Sequence, residues 1–292
     1  MAQTVATFDY HRINVADDVS LNVAVTGSGA PLVLLHGFPQ THLMWRHVAA
    51  DLAADHTVIC PDLRGYGDSD KPVDTDGTVY SKRTMAADMV AVSEALGYER
   101  FALAGHDRGA LVAFRAGLDH PDKITHLACL DVLPTLDMWD VMHGVTASVG
   151  FHLYLMAQQP GLPEQLIAAS PDAFFGHFLD IWTNDPQAIP ADIRASYLEA
   201  CRGAVPSIVA DYRASAAIDV EHDQADRAAG NQLKMPVSVL QQDWGAALGF
   251  DAAALWGSWA TDLQHTTVTS GHFMAEEAPA DVAAALRALL SR

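Results

Sequence analysis

The sequence predicts an α/β fold, a mainly parallel sheet with helices on both faces. Two observations predict it. Strand-like and helix-like patterns alternate through the first half, and the alternation resumes near residue 236. Between Gly105 and Gly109, the run Gly-His-Asp-Arg-Gly joins a strand to a helix with the spacing of a Gly-x-nucleophile-x-Gly turn.

Each element has its own reason. "VSLNVAVTG" (19–27) alternates polar and apolar residues, as a half-exposed strand does. "PLVLLHG" (31–37) is a continuous apolar run, suited to a strand buried on both faces. "HVAADLAA" reads as a helix and "HTVICPDL" (56–63) as the next strand. "RGYGDSDKP" is dense in turn residues. "SKRTMAADMVAVSEALG" (81–97) has helical spacing, with Ser81 as N-cap and Gly97 as stop. "RFALAGHD" is a strand ending at Asp107, "RGALVAFRAGLDH" a helix, and "ITHLACLD" (124–131) another strand. Residues 135–228 then break the alternation. They are helical in pattern and rich in aromatic residues and Met, as an inserted cap would be. "PVSVLQQD" (236–243), a helix near 251–260, "LQHTTVTSG" (263–271) and "ADVAAALRALL" close the chain. The expected division is a core of residues 1–134 and 229–292 and a helical cap of 135–228.

The chain has 292 residues, half of them apolar, enough for a sizeable core. Its formal net charge of −19 is spread along the chain and argues against nucleic acid or anionic lipid as partners. No apolar run has the length of a membrane span, and "MAQTVATFDYHRINV" lacks the pattern of a signal peptide. Cys60, Cys129 and Cys201 fit reduced core thiols, so a cytoplasmic protein is expected. No HExxH, Cys-x-x-Cys, P-loop or Gly-x-Gly-x-x-Gly pattern is present, so neither metal nor cofactor is expected.

The centre of the turn selects the chemistry. A serine there attacks acyl carbon. The carboxylate of Asp107 can instead attack an sp³ carbon bearing a leaving group and form an alkyl ester, which water then hydrolyses. The competing reading of Asp107 is an acidic helix N-cap. His272, in "TSGHFMAEEAP" beyond the last strand, is the candidate base. Its orienting carboxylate is Asp131 or Asp243, each following a strand. Asp131 is preferred because it sits at the strand end, with Pro134 stiffening the loop. The backbone N–H groups of Phe38, in "HGFPQ", and Arg108 are the expected oxyanion hole. His106 is read as a buried structural residue. Trp182, Trp244, Trp256 and Trp259 are each read as packing residues before pocket residues.

"HGFPQ", "PDLRGYGDSDKP", "GHDRG", "LDHP", "LACLDVLPT", "QQPGLPE", "DYRASAAIDVEHD" and "SGHF" together resemble the fluoroacetate (haloacid) dehalogenases of the α/β-hydrolase fold, and the related epoxide hydrolases. The resemblance implies an eight-stranded, mostly parallel sheet with a helical cap inserted after the sixth strand. It implies Asp107 as nucleophile, His272 as base and Asp131 as acid. The family grips a substrate carboxylate with two arginines. The first is Arg108; the second position is Leu111, a departure. For Arg108 the competing reading is a structural arginine tied to a cap or loop carboxylate.

The family's leaving-group pocket holds a His-Trp pair and a tyrosine. Counting from "LPE" places the pair on His152 and Leu153; counting from "QQP" places it on Leu153 and Tyr154. The tyrosine is Tyr212. The expected activity is hydrolytic dehalogenation of small 2-haloacids, with water as second substrate. The alternative is epoxide opening with His and Tyr donors from the cap. The resemblance also allows a homodimer. A non-catalytic binding module of the same fold is a third reading, disfavoured by the intact set of Asp107, Asp131 and His272.

Overall fold

A computed structural model describes residues 4–242 and 249–292. Asp243 and Trp244 lie outside the described residues. The chain opens with β1 (Asp9–Ala16), β2 (Val19–Gly27) and β3 (Ala30–Leu35), followed by α1 (Arg46–Leu52) and β4 (His56–Pro61). It continues through α2 (Lys82–Ala95), β5 (Phe101–His106), α3 (Arg108–Asp119) and β6 (Ile124–Leu130). A helical stretch follows: α4 (Thr135–Val141), α5 (Phe151–Met156), α6 (Leu162–Ala168), α7 (Pro171–Ile181), α8 (Ala191–Arg202), α9 (Val205–Ser215) and α10 (Ile218–Ala229). β7 (Val237–Gln241), α11 (Ala252–Gly257), β8 (Leu263–Thr267), α12 (Met274–Glu277) and α13 (Pro279–Leu290) complete it.

The eight strands form one sheet in the order β1-β2-β4-β3-β5-β6-β7-β8. β2 runs antiparallel to both neighbours; the remaining pairs are parallel. Every residue of β5 and β7 is buried, and most of them are apolar, as in strands covered on both faces. α2 and α3 pack on each other beside β5, while α1 and α13 pack together, with α13 against β6 and β7. Ser81 caps α2 by accepting from the Thr84 N–H at 3.2 Å, and Gly97, at φ +87°, follows its end.

Sequence reasoning from the residues passes over β1. Only Ile13 of its eight residues is buried, so it has no apolar period, and it joins the sheet through backbone pairing with β2.

The order β4-β3-β5 means the chain leaves β3 in one direction and returns on its other side. The crevice above the carboxyl ends of β3 and β5 is the switch point at which open α/β sheets bind ligands. The turn into α3 lies there, and its glycines permit close packing. A Cβ on Gly109 would collide with the carbonyl oxygens of Leu35 and His36, and one on Gly105 with the backbone of Gly109 and Ala110. Gly109→Ala is therefore expected to lower stability by about 1–3 kcal/mol in a denaturant melt, because α3 cannot back away from β3 without opening the core.

Candidate active site

Three adjacent parallel strands bring the polar groups together. His106, Leu130 and Leu240 share one rank across β5, β6 and β7. The next backbone hydrogen bonds run from the Asp107 N–H to the Leu130 carbonyl at 3.0 Å and from the Asp131 N–H to the Leu240 carbonyl at 2.8 Å. Asp107 and Asp131 therefore stand one strand apart. Both have positive φ, +49° and +53°, which lifts their side chains off the strand line. For Asp107 the ψ of −117° takes the residue outside the regions open to L-residues. Such a conformation costs about 1–3 kcal/mol and persists where the surrounding packing enforces it.

The imidazole of His272 bridges the two carboxylates. Its Nδ1 donates to Asp131 Oδ2 at 2.6 Å, and its Nε2 lies 3.9 Å from Asp107 Oδ2 without a hydrogen-bond partner. Burial opposes protonation of His272. The hydrogen bond and charge of Asp131, joined by the charge of Asp107, outweigh burial and raise its pKa. Asp107 Oδ1 accepts from the Phe38 N–H at 2.7 Å, so the backbone donor of "HGFPQ" is aimed at this carboxyl group. A nucleophilic carboxylate, a base oriented by a second carboxylate, and a backbone donor at the first are the parts that nucleophilic catalysis with hydrolysis requires.

Above them is a cavity of about 320 Å³, bounded by Asp107, His272 and the helices that follow β6. Its lining is mostly apolar and includes Leu111, Leu133, Met138, Trp139, Met142 and Leu153. Tyr212 and His152, both from the helices that follow β6, are two of its polar groups. The buried Tyr212 hydroxyl has no hydrogen-bond partner, nor has His152 Nδ1. Burial and the charge of Asp107 push the Tyr212 phenol well above its ordinary value, so it keeps its proton. Burial pushes His152 down to about 3, so its ring is neutral and carries one N–H.

The structure separates the sequence-derived alternatives. His152 lines the cavity and stacks on Phe38 with ring centroids 5.9 Å apart. Tyr154 does not line it: its side chain is 40% exposed and its hydroxyl donates to the Met142 carbonyl. Two residues apart on a helix, these side chains point about 200° from each other.

Arg108 departs further from expectation. It lines the cavity, but its Nε and Nη2 donate to Asp211 Oδ2 and Oδ1, both at 2.9 Å, and Nη2 reaches Ser215 Oγ at 2.6 Å. The guanidinium, 4.1 Å from the centroid of the Tyr212 ring, is thus paired with a carboxylate of α9, an arrangement of the kind the structural reading of this residue expects. The same carboxylate binds Lys82 and accepts from the Tyr66 hydroxyl at 2.6 Å. Burial opposes ionisation of Asp211, yet Arg108 and Lys82 hold its carboxyl well below the usual carboxylate range.

One residue at the site was not singled out from sequence, and one read there as packing first lines the cavity. Gln242 donates its backbone N–H to Asp131 Oδ1 at 3.1 Å and its Nε2 to Oδ2 at 2.8 Å, fixing the carboxylate that holds His272. The only hint is that it follows a strand beside the one bearing Asp131. Trp182 is a cavity residue, with its ring 4.9 Å from that of His272. Trp256 and Trp259 do pack in the core, edge-on to Phe114. His106 is buried as expected, held neutral by burial with a pKa near 4, and its Nε2 donates to the His272 carbonyl at 2.8 Å.

Fold and site define a hydrolase of the α/β class, and comparison with known proteins agrees. The model of the alpha/beta hydrolase fold family matches residues 30–159. A fluoroacetate dehalogenase from Burkholderia sp is 38% identical over 97% of this chain and 94% of its own. A soluble epoxide hydrolase from Corynebacterium sp. strain C12 is 32% identical over 92% of this chain and 93% of its own. Among solved structures, a Pseudomonas aeruginosa protein described as a candidate epoxide hydrolase superposes with a TM-score of 0.93 at 38% identity, covering 100% of this chain and 98% of that one. The chain belongs to the α/β-hydrolase family, and its relatives include both dehalogenases and epoxide hydrolases. No helix among the described residues is long and apolar enough to cross a membrane.

The buried charge network generates a prediction. Asp211→Ala leaves Arg108 without its carboxylate and strips Lys82 of one of its two, the other being Asp219 at 3.6 Å. A loss of about 3–5 kcal/mol in chemical denaturation is expected.

Proposed function

We propose that the protein hydrolyses epoxides through an alkyl ester on Asp107. The observation that carries this reading is the pair of neutral cap groups, Tyr212 and His152, that line the cavity above Asp107, while Arg108 is already paired with Asp211. An Asp107 oxygen attacks one epoxide carbon and its C–O bond breaks. The oxygen that leaves that carbon stays on the adjacent one. It takes the Tyr212 proton, with the His152 N–H as second donor. His272 Nε2 then takes a proton from water, and the hydroxide adds to the Asp107 ester carbonyl. The Phe38 and Arg108 N–H groups hold the oxyanion. Collapse expels the diol oxygen, which takes the His272 proton, and the Asp107 carboxyl group passes the proton left from the hydroxide to the Tyr212 phenolate. Asp131 holds the imidazole tautomer throughout, with Gln242 behind it. In this reading residues 135–228 are a cap over a core of 1–134 and 229–292. The protein works in the cytoplasm on a small molecule and water and needs no cofactor.

A second reading is hydrolytic dehalogenation of 2-haloacids by the same ester route. It is favoured by similarity to the fluoroacetate dehalogenase and by the place of Arg108 on the cavity wall. Leu111, Leu153 and the Arg108–Asp211 pair weigh against it: a substrate carboxylate would find one guanidinium, already neutralised, among apolar side chains.

Intact-mass measurement decides between them. After exposure to styrene oxide, His272→Gln is expected to gain the mass of one epoxide on Asp107, and Asp107→Asn none. Halide release from chloroacetate, absent in Asp107→Asn, with no epoxide adduct would establish the second reading instead. Tyr212→Phe is expected to slow ring opening by about 10²–10³. Ester hydrolysis requires neutral His272. Its rate should therefore fall as pH is lowered through the titration of His272, which the hydrogen bond and charge of Asp131 raise, in single-turnover assays.

A further inference from the structure

The backbone of His272 is held from two sides. Its N–H donates to the Trp182 carbonyl at 2.8 Å, and its carbonyl accepts from His106 Nε2 at 2.8 Å. The first partner follows α7; the second immediately precedes Asp107. Just beyond His272, α12 carries Glu277, whose Oε2 accepts from the N–H groups of Asn184 at 3.0 Å and Asp185 at 3.1 Å. Its Oε1 is buried without a hydrogen-bond partner and faces Gly271. A Cβ on Gly271 would strike that oxygen, the Trp182 carbonyl oxygen and the Asn184 nitrogen together. The neighbouring Glu276 is also bound from two elements, accepting from the Tyr197 hydroxyl of α8 at 2.5 Å and pairing with Arg46 of α1. The turn that presents His272 is thus pressed against residues 182–185 with no spare volume.

We propose that Glu277 is a positioning residue: with Trp182, Asn184 and Asp185 it forms a latch through which the seating of the helical segment sets His272 for water activation. The proposal rests on the aspartyl-ester reading. That reading has two half-reactions, and only ester hydrolysis uses His272 as base. A loosened latch should slow hydrolysis and spare ester formation, because Asp107 and Tyr212 are held by other contacts. A shift of His272 by an ångström is worth about a hundredfold in rate. Glu277 also adds to the negative charge around His272, after Asp131 and Asp107, while His106 and His152 nearby are neutral.

The test is rapid quench with styrene oxide, following the mass of the Asp107 ester as it forms and decays. In Glu277→Ala, formation is expected to keep its wild-type rate. Decay is expected to slow roughly ten- to a hundredfold, with its pH midpoint lowered. Glu277→Gln keeps an acceptor for the two N–H groups but no charge, so it should restore most of the decay rate while keeping the lowered midpoint. Gly271→Ala should show the same split between formation and decay with Glu277 intact, and it carries the test if Glu277→Ala does not fold. Formation and decay falling together, or neither changing, in folded variants overturns the latch and leaves the ester reading standing. An Asp107 that never gains the adduct mass, even in His272→Gln, removes both.

Discussion

The carboxylate of Asp211 holds the turn that bears Asp107 and the helical segment in one frame. It lies on α9, yet it pairs with Arg108 at the start of α3 and Lys82 at the start of α2. Asp219 of α10 joins the cluster by accepting from the Lys82 N–H at 2.8 Å. Two carboxylates and two cations balance, so no net charge is buried. A cluster of this kind is sensitive to the loss of any one member, since each removal strands an opposite charge away from water. It specifies where the helical segment sits more than how tightly it is held, because a greasy contact of the same size would allow sliding and a bidentate pair does not. The ring of Tyr212, the residue after Asp211, lies over the guanidinium as a consequence. The orientation of the candidate proton donor is therefore set by the charge network.

How legible this was follows from where each signal lives. β3 is readable because burial on both faces removes polar residues from most of it. β1 is not readable, because an exposed edge strand is held by its backbone pairing, to which its side chains contribute little. The meeting of Asp107, Asp131 and His272 is readable from position, since each lies at or beyond a strand end and parallel strands deliver their ends to one side. The fate of Arg108 is not readable from residues alone. Its partner lies 103 positions away, and the sequence cannot say whether an arginine beside Asp107 faces the cavity or a carboxylate of the helical segment. The same limit applies to the tryptophans. Trp182 and Trp256 are alike in sequence, but one closes the cavity and the other packs on Phe114.

His152 and Tyr154 show where helical geometry decides what counting along the chain cannot. Both sit on α5, and a stretch of one turn can present only one of them to the cavity. The chosen residue is then changed by its surroundings. Histidine is chargeable in water, but here it is neutral because burial denies its cation solvation. Tyr212 is altered in the opposite sense, its phenol made a weaker acid beside Asp107. Both groups therefore remain uncharged donors across the physiological range. Uncharged donors of this kind suit negative charge that develops on an oxygen, which is what the proposed reaction asks of them.

The ranks of β5, β6 and β7 also act as a ruler. Neighbouring strands lie about 4.8 Å apart, and that repeat spaces Asp107, Asp131 and Gln242 along the mouth of the crevice. The spacing comes from backbone hydrogen bonds, so it is indifferent to which side chain occupies each mark. A different residue at the position of Asp107 would meet the same histidine and the same Phe38 N–H. The frame is therefore fixed by the sheet, and the chemistry done on it is left to the side chains that stand at these marks and line the cavity above them.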